Sequence, residues 1–330
     1  MSIIGAGSWG TTLGVILAKK GLRVELHSVF EKDNIKMRKQ RENADFLKGV
    51  KFPSNLDINL SLKNTLKNKI IVIAIPVKFI RGVLIRIKEQ AVSLKNKIFV
   101  SVAKGIEEKS LKMPSKIIEE ELGRVKTGVL SGPTIAKEVI KGIPTTCIIA
   151  SKNRKVAIRL QDVFNTKRFR VYTHNDIMGV ELGSALKNIV AIACGISDGL
   201  GFGTNTKATL VTRGLVEIIR LGKKAGAKPS TFMGISGLGD LVTTCFSSYS
   251  RNRFVGERIG RGEKLRDILK NMNMVAEGVT TVNSAYQLSR KLNIDMPITR
   301  EVFLILYKNK SAAKAVRDLM TRPLKAESIV

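Results

Sequence analysis

A glycine-rich turn near the start of the chain constrains its fold more than any other feature. An apolar pair at 3–4 runs into Gly-Ala-Gly-Ser-Trp-Gly at 5–10, a Gly-x-Gly-x-x-Gly pattern. The residues that follow favour a helix over 11–20 and a second strand over 22–26. Only four residues precede the turn, so the first strand is short. Strand, turn, helix and strand in this order predict a dinucleotide-binding unit.

Each glycine of the turn has a distinct expected role. Gly5 allows the tight turn, Gly7 lets phosphates approach the backbone, and Gly10 lets the helix pack against the strand. The N-terminus of the helix would then direct its N–H groups and partial positive charge at a pyrophosphate. The alternative is a glycine-rich β-to-α turn that binds nothing.

Further β-rich runs alternate with helical or polar stretches through the first half of the chain. We predict strands at 70–75, 98–102, 128–130 and 145–150, and an edge strand at 168–172. This alternation predicts an α/β fold with a doubly wound parallel sheet and ligands at the carboxyl ends of its strands.

The second half of the chain has a different character, because its periodicity is helical and no β-rich run follows residue 175. We predict helices at 176–196, 206–225, 229–234, 264–271, 279–292, 297–307 and 311–320. The sequence therefore predicts two domains, a dinucleotide-binding domain at 1–174 and an all-helical substrate domain at 175–330.

Composition narrows the chemistry. The chain has 57 Lys and Arg against 27 Asp and Glu, a net charge of +30. A charge of this sign could serve to bind nucleic acid, a membrane surface or a phosphorylated small molecule. The alternative is a lysine-rich surface with no such partner. Aromatic residues are only 5% and no nucleic-acid motif is present, so we expect no specific nucleic-acid partner. With two histidines and three cysteines in no C-x-x-C spacing, we also expect no metal site.

The uncharged stretch 1–18 has the apolar character of a signal peptide but lacks the positive charges that precede the apolar part of one. Its first positive charges, Lys19 and Lys20, follow the apolar part, and glycines interrupt it. No other segment approaches the length of an uncharged membrane helix. We expect a cytoplasmic protein without membrane insertion, with its thiols reduced.

Two lysines are candidates for chemistry. Lys104 follows the strand at 98–102, on a loop tightened by a glycine. Lys187 lies on a predicted helix with Gly183, Ser184 and Ala191 one turn away, and this stripe of small residues predicts open space for a small substrate. The alternatives are a solvated surface lysine and a helix cation whose stem lies along apolar surface.

Two later segments carry polar groups suited to a charged substrate. A glycine-dense helix junction at 234–239 leads into Asp240, whose simplest role is an acid in the first turn of a helix. Ser250, Arg251 and Asn252 combine a guanidinium with two neutral hydrogen-bonding groups, which suits a phosphate. An exposed basic loop is the alternative for that set.

Seven motifs in order resemble the bacterial NAD(P)-dependent glycerol-3-phosphate dehydrogenases over nearly the whole chain. They are Gly-Ala-Gly-Ser-Trp-Gly-Thr at 5–11, Ala-Lys-Gly at 103–105, Ser-Gly-Pro-Thr at 131–134, Glu-Leu-Gly-Ser-Ala-Leu-Lys-Asn at 181–188, Gly-Leu-Gly-Asp-Leu-Val-Thr-Thr-Cys at 237–245, Ser-Arg-Asn at 250–252 and Val-Ala-Glu-Gly at 275–278. The resemblance implies a Rossmann domain plus a helical domain of the 6-phosphogluconate dehydrogenase type. It also implies NADH- or NADPH-dependent reduction of dihydroxyacetone phosphate to sn-glycerol 3-phosphate for phospholipid synthesis, and leaves a homodimer open.

The resemblance also assigns roles, with Lys187 as proton donor and acceptor. It implies substrate contacts from Lys104, Gly132, Thr134, Lys187, Asp240, Ser250, Arg251 and Asn252, and cofactor contacts from Gly5, Gly7, Ser8, Trp9, Gly10, Lys104, Ala136, Arg251, Val275 and Glu277. One departure concerns the end of the second strand, His27-Ser28-Val29-Phe30, which lacks the basic residue many relatives carry there and has no acid before Glu31.

Three other functions stay open at this stage. One is a reductase of the same two-domain superfamily with a different hydroxy acid or sugar phosphate as substrate. A second is a non-catalytic dinucleotide sensor, against which Lys104, Lys187 and Asp240 argue. A third is a nucleic-acid or membrane-surface binder driven by the net charge, whose binding would vanish with modest salt.

Overall fold

The computed structural model describes residues 1–272, 275–324 and 326–327. The described chain divides into two compact units. The first comprises Met1–Ala103 and Pro114–Ile177, and the second comprises Lys104–Met113 and Met178–Val330. The second unit thus takes in a ten-residue segment from within the first half of the chain. The domain boundary at 174/175 remains a prediction.

The first unit is built on one eight-stranded sheet. Its strands are β1 Ser2–Ile4, β2 Val24–His27, β3 Leu56–Ile58, β4 Ile70–Ile73, β5 Ile98–Ser101, β6 Lys126–Ser131, β7 Thr145–Ala150 and β8 Phe169–His174. Their order is β3-β2-β1-β4-β5-β6-β7-β8, and all neighbours pair in parallel except β6 and β7, which are antiparallel. The doubly wound fold is confirmed, with this antiparallel pair as a departure from a wholly parallel sheet. β8 is an edge strand, as predicted, with Phe169 and Val171 buried and Arg170 between them exposed.

Eight helices belong to the first unit. They are α1 Ser8–Lys19, α2 Glu31–Gln40, α3 Ala44–Leu47, α4 Leu62–Thr65, α5 Val77–Glu89, α6 Pro114–Leu122, α7 Ala136–Ile140 and α8 Arg154–Phe164. The sheet contributes to two buried clusters, one containing Ile3, Val72 and Val100 and the other containing Ile4, Ile71 and Phe99. Alternate residues of each central strand thus enter opposite clusters, because both faces of the sheet are covered.

Every secondary-structure element described in the second unit is a helix. Its helices are α9 Ile177–Gly199, α10 Thr204–Lys224, α11 Pro229–Phe232, α12 Asp240–Phe246, α13 Arg251–Gly260, α14 Leu265–Lys270, α15 Glu277–Lys291, α16 Pro297–Lys308 and α17 Ala312–Met320, with a π-helical turn at Ile235–Gly239. All seven helices predicted from the sequence are present. By length and composition α9 could cross a membrane, but 94% of its apolar window is buried within the protein, as in the core helix of a folded domain.

Candidate active site

The glycine turn between β1 and α1 has the shape that the pattern predicts. Gly5 has a φ of +112°, and a Cβ there would lie 2.3 Å from the backbone oxygen of Ala74. A Cβ on Gly10 would lie 2.0 Å from the backbone oxygen of Gly5, whereas nothing lies within 4 Å of a Cβ built on Gly7. Two glycines are therefore required by close packing, and the third leaves the bare backbone that a pyrophosphate needs.

Ser8 and Trp9 form the start of α1, directly after this turn. Gly7 precedes them and contributes no side-chain cap. The Ser8 hydroxyl donates to the backbone oxygen of Phe46 at 3.0 Å, and the Trp9 ring packs 6.2 Å from that of Phe169. Because both side chains have partners in the protein, the backbone N–H groups of the helix start are the expected phosphate contacts.

Asn43, which the sequence analysis missed, stabilises the glycine turn by hydrogen bonds from a distant part of the chain. Its Nδ2 donates to the backbone oxygen of Ala6 at 2.7 Å and to Oγ1 of Thr11 at 2.8 Å, and the side chain is buried. No local pattern marks this asparagine, because its partners lie 32 and 37 residues earlier in the chain.

The carboxylate of Asp33 lies near the end of β2, where the sequence analysis did not place it. Oγ of Ser28 donates to Oδ2 of Asp33 at 3.1 Å, and the backbone N–H of Ser28 donates to Oδ1 of Asn34 at 2.6 Å. Asp33 belongs to the first turn of α2. Two exposed rings also follow the strands beside β1: Phe30 after β2 and Phe79 after β4. They present apolar surface at the carboxyl ends of these strands, the edge of the sheet where ligands bind in this fold.

The residues predicted at the end of β6 form a second turn of the first unit. Gly132 has a φ of +143°, and a Cβ there would lie 3.0 Å from Cα of Cys147. Oγ1 of Thr134 donates to the backbone oxygen of Gly132 at 3.1 Å, and Ala136 begins α7. The hydroxyl of Ser131, just before the turn, is buried and has no hydrogen-bond partner in the described structure.

In the second unit, two lysines share one buried carboxylate. Lys187 of α9 donates to Oδ1 of Asp240, and Lys104 donates to Oδ2 of the same side chain at 2.8 Å. The Asp240 side chain is 1% exposed and that of Lys104 is 17% exposed. Lys187 also donates to Oγ1 of Thr244 at 2.6 Å, a partner that the sequence analysis missed although it lies one helical turn after Asp240.

Burial sets the acidity of Lys187. Its pKa is lowered to about 7: desolvation is the largest cause, Asp240 opposes the shift, and the charge of Lys104 adds to it. An ammonium with this pKa can release or regain a proton near neutral pH, as a general acid and base requires.

The small residues near Lys187 do not provide open space, so that interpretation was wrong. A Cβ on Gly183 would lie 3.1 Å from the backbone oxygen of Ser236, in the glycine-dense segment before Asp240. Ser184 is buried and donates to the backbone of its own helix at Val180. The stripe lets α9 pack closely against other protein segments, which is how residues 53 positions apart come to pair.

Ser250, Arg251 and Asn252 begin a helix rather than an exposed loop. Ser250 is the N-cap of α13, and its Oγ accepts from the backbone N–H of Arg253 at 3.2 Å. Arg251 is exposed, yet the surrounding protein desolvates its guanidinium and lowers its pKa, which Glu277 opposes. A guanidinium at a helix N-terminus combines two features that bind phosphate.

Asn188 contacts both the segment of Lys104 and the helix that is hydrogen-bonded to Asn252. Its Nδ2 donates to the backbone oxygen of Lys104 at 3.4 Å, and its own backbone oxygen lies 3.0 Å from a Cβ built on Gly278. The Gly278 N–H in turn donates to Oδ1 of Asn252 at 2.9 Å. Glu277 begins the same helix, α15, and Val275 lies two residues before it, half-buried.

Both halves of the chain match one family of known proteins. The family model of the NAD-dependent glycerol-3-phosphate dehydrogenase N-terminus matches residues 1–157, and that of the C-terminus matches residues 176–317. The NAD(P)+ glycerol-3-phosphate dehydrogenase of Citrifermentans bemidjiense is 47% identical over 333 residues, covering 100% of this chain and 99% of that protein. The corresponding protein of Pelodictyon phaeoclathratiforme is 46% identical over 331 residues, covering 99% of each.

Solved structures are similar to this chain over nearly its whole length. The glycerol-3-phosphate dehydrogenase of Coxiella burnetii superposes with a TM-score of 0.93 at 37% identity, covering 97% of this chain and 98% of that one. A ketopantoate reductase family protein of Ralstonia eutropha has a TM-score of 0.57 at 13% identity, covering 96% of this chain and 100% of that one, which is a likeness of fold alone.

Proposed function

The chain belongs to the NAD-dependent glycerol-3-phosphate dehydrogenase family, and from this membership we propose that it reduces dihydroxyacetone phosphate to sn-glycerol 3-phosphate with NADH or NADPH. The observation that carries the proposal is the pair of lysines, Lys104 and Lys187, on the buried carboxylate of Asp240. Lys187 has a pKa of about 7, which suits proton transfer to a reduced ketone.

The proposed chemistry divides between cofactor and protein. When bound, the reduced nicotinamide supplies the hydride that the ketone carbon accepts. Lys187 then donates a proton from Nζ to the carbonyl oxygen, and as an ammonium it stabilises the negative charge that develops there. Asp240 and Thr244 hold Nζ in one orientation. In the reverse reaction neutral Lys187 accepts the proton of the alcohol.

The substrate phosphate has a separate candidate site at the N-terminus of α13. We assign the phosphate to Arg251, with Ser250 and Asn252 as neutral donors; the amide oxygen of Asn252 accepts from Gly278. Binding at the non-reacting end of the substrate would position the ketone. Lys104, Gly132, Thr134 and Asp240 complete the proposed substrate contacts.

The cofactor contacts are likewise a proposal. The open position at Gly7 and the start of α1 fit a pyrophosphate. The further proposed contacts are Gly5, Ser8, Trp9, Gly10, Lys104, Ala136, Arg251, Val275 and Glu277. We also propose a cytoplasmic enzyme that supplies glycerophospholipid synthesis, with a small-molecule substrate as its main partner and a homodimer as one possible assembly.

A steady-state assay tests the function directly. The purified chain is mixed with dihydroxyacetone phosphate and either NADH or NADPH, and cofactor oxidation is followed together with formation of glycerol 3-phosphate. We expect turnover with both cofactors, and much weaker turnover with unphosphorylated dihydroxyacetone. Cofactor binding without turnover would indicate a dinucleotide sensor, and faster turnover of another phosphorylated ketone would indicate a different reductase.

A further inference from the structure

Asp198, near the carboxyl end of α9, holds two cations that the proposed reaction does not use. Its Oδ2 accepts from Nε of Arg253 at 2.6 Å, and its Oδ1 lies 2.6 Å from Nζ of Lys207. The three side chains are each at most 20% exposed. The carboxylate therefore ties together α9, the first turn of α10 and the first turn of α13.

Arg253 is bound at both ends. Its guanidinium contacts Asp198, and its backbone N–H is the donor that Ser250 caps at 3.2 Å. Any displacement of Arg253 is thus transmitted to Ser250 and to Arg251 and Asn252 between them. These are the residues proposed to bind the substrate phosphate.

The backbones of α9 and α13 are also in direct contact along a seam of glycines. A Cβ on Gly195 would lie 2.0 Å from the backbone oxygen of Arg253, and one on Gly256 would lie 2.1 Å from that of Ile192. Because α9 also carries Lys187, the seam places the phosphate-binding helix against the helix that holds the proton donor. Asp198 and Arg253 form an ion pair beside this seam, at the end of α13 where the phosphate is proposed to bind.

We propose that Asp198 is a positioning residue for substrate: through Arg253 it fixes the first turn of α13 in the arrangement that binds the phosphate group. This inference rests on the proposed function. If Asp198 acted only through its charge, its replacement would change the affinity for the phosphate group in the opposite direction. Replacing Asp198 by a neutral residue leaves Arg253 and Lys207 unneutralised, which by charge alone would tighten the binding of an anion.

The test compares D198N with the wild type in the full chain. We expect the KM for dihydroxyacetone phosphate and the inhibition constant of inorganic sulfate to rise about tenfold, as for coupled residues in contact. The KM for the cofactor should rise far less, because Arg251 is one of ten proposed cofactor contacts, and kcat/KM for unphosphorylated dihydroxyacetone should stay within about twofold. In a chain that already carries R253M, adding D198N should change the KM for dihydroxyacetone phosphate little further. D198E, which keeps the carboxylate, should bind this substrate more tightly than D198N does.

E263Q is the matched control, because Glu263 accepts from Arg258, near the other end of α13, at 2.6 Å. It should leave the KM for dihydroxyacetone phosphate unchanged. Tighter sulfate binding in D198N, or equal losses with phosphorylated and unphosphorylated substrates, would overturn the proposal. So would complete loss of cofactor binding, measured by the fluorescence of the single tryptophan, Trp9, because the role of Asp198 would then be structural. Absence of turnover in the wild type would instead refute the proposed function.

Discussion

At the scale of single residues, the properties of Lys187 come from its surroundings rather than from its type. A lysine in water stays protonated at neutral pH, but burial lowers the pKa of this one to about 7. Asp240 limits the shift and orients Nζ, and Thr244 accepts a second hydrogen bond. The same side chain can therefore act as an acid in ketone reduction and as a base in alcohol oxidation.

Lys187→Ala should lower kcat by on the order of 10²–10⁴ with little change in cofactor affinity, because the proton donor is lost. In the wild type, ketone reduction needs the protonated lysine, so its rate should fall as pH rises through about 7, and alcohol oxidation should rise over the same range. Steady-state kinetics against pH measure both. Lys97→Ala is the control, because Lys97 is also buried with a lowered pKa but donates to the backbone of Asn68. A near-normal kcat in Lys187→Ala would remove Lys187 from the mechanism.

At the scale of elements, helix N-termini carry much of the molecule's polar chemistry. α1 presents bare backbone after Gly7, α13 starts at Arg251 behind a serine cap, and α16 is capped by a carboxylate from another helix. In each case the start of the helix offers N–H donors and a partial positive charge to an anion.

Arg251→Ala should raise the KM for dihydroxyacetone phosphate by the loss of a charge-assisted contact of about 1.5–3 kcal/mol. The response to unphosphorylated dihydroxyacetone should change far less. Arg261→Ala is the control, since Arg261 follows the carboxyl end of the same helix and pairs with Glu257 there. Equal losses with both substrates would show that Arg251 does not bind the phosphate.

Glu217 of α10 caps the start of α16 from within the core. It accepts from the backbone N–H groups of Ile298 and Thr299, at 2.6 and 3.1 Å, and from the Thr299 hydroxyl at 2.9 Å. Burial raises its pKa from 4.5 to about 7, although these hydrogen bonds oppose the shift. The folded protein thus binds this proton more tightly than the unfolded chain. The resulting stabilisation is fully present below the unfolded pKa and is lost as pH rises through about 7.

Glu217→Gln removes that pH dependence. We expect the free energy of unfolding of the variant, relative to wild type, to increase as pH is raised from about 5 to about 8, because only the wild type loses stability by ionising this group. Denaturant unfolding at several pH values measures it. Glu42→Gln should show no such trend, because Lys51 and the Gly49 N–H lower the pKa of Glu42, whose titration lies below this range. A constant difference between Glu217→Gln and wild type across the range would contradict the shift.

At the scale of the whole molecule, the net charge of +30 acts on any anionic ligand. NADPH carries a further phosphate, so the field favours it, whereas the Asp33 carboxylate near the end of β2 opposes it. Neither group excludes a cofactor outright, and relatives in the family carry both cofactors in their name.

We therefore expect both cofactors to be used, with NADPH favoured by less than about 2 kcal/mol and the preference shrinking as salt screens the field. Measuring kcat/KM for NADH and NADPH at low and high ionic strength tests this. Asp33→Asn should increase the preference for NADPH. A preference of about a thousandfold either way, about 4 kcal/mol, would mean that another residue selects the cofactor.

Much of the fold could be predicted from the sequence, because its signals are local. The glycine turn, the β-rich runs and the seven predicted helices of the second half depend on neighbouring residues and on period. The short strand β3 was missed, because three alternating residues are too few to show a period. α13 was not predicted, because Ser250, Arg251 and Asn252 were interpreted as a phosphate-binding set or an exposed basic loop. The candidate residues Lys104, Lys187 and Asp240 stood out by type and by motif.

What only the tertiary structure decided is which of these residues meet. The segment around Lys104 belongs with the helical unit, and its lysine shares Asp240 with Lys187, across separations of 136 and 53 residues. No local signal encodes such a pairing, because it depends on glycines that let helix backbones touch, as at Gly183 and Gly195. The sequence alone determined most of the secondary structure and the kinds of reactive group. Long-range packing determined their distances and, through burial, the pKa of Lys187.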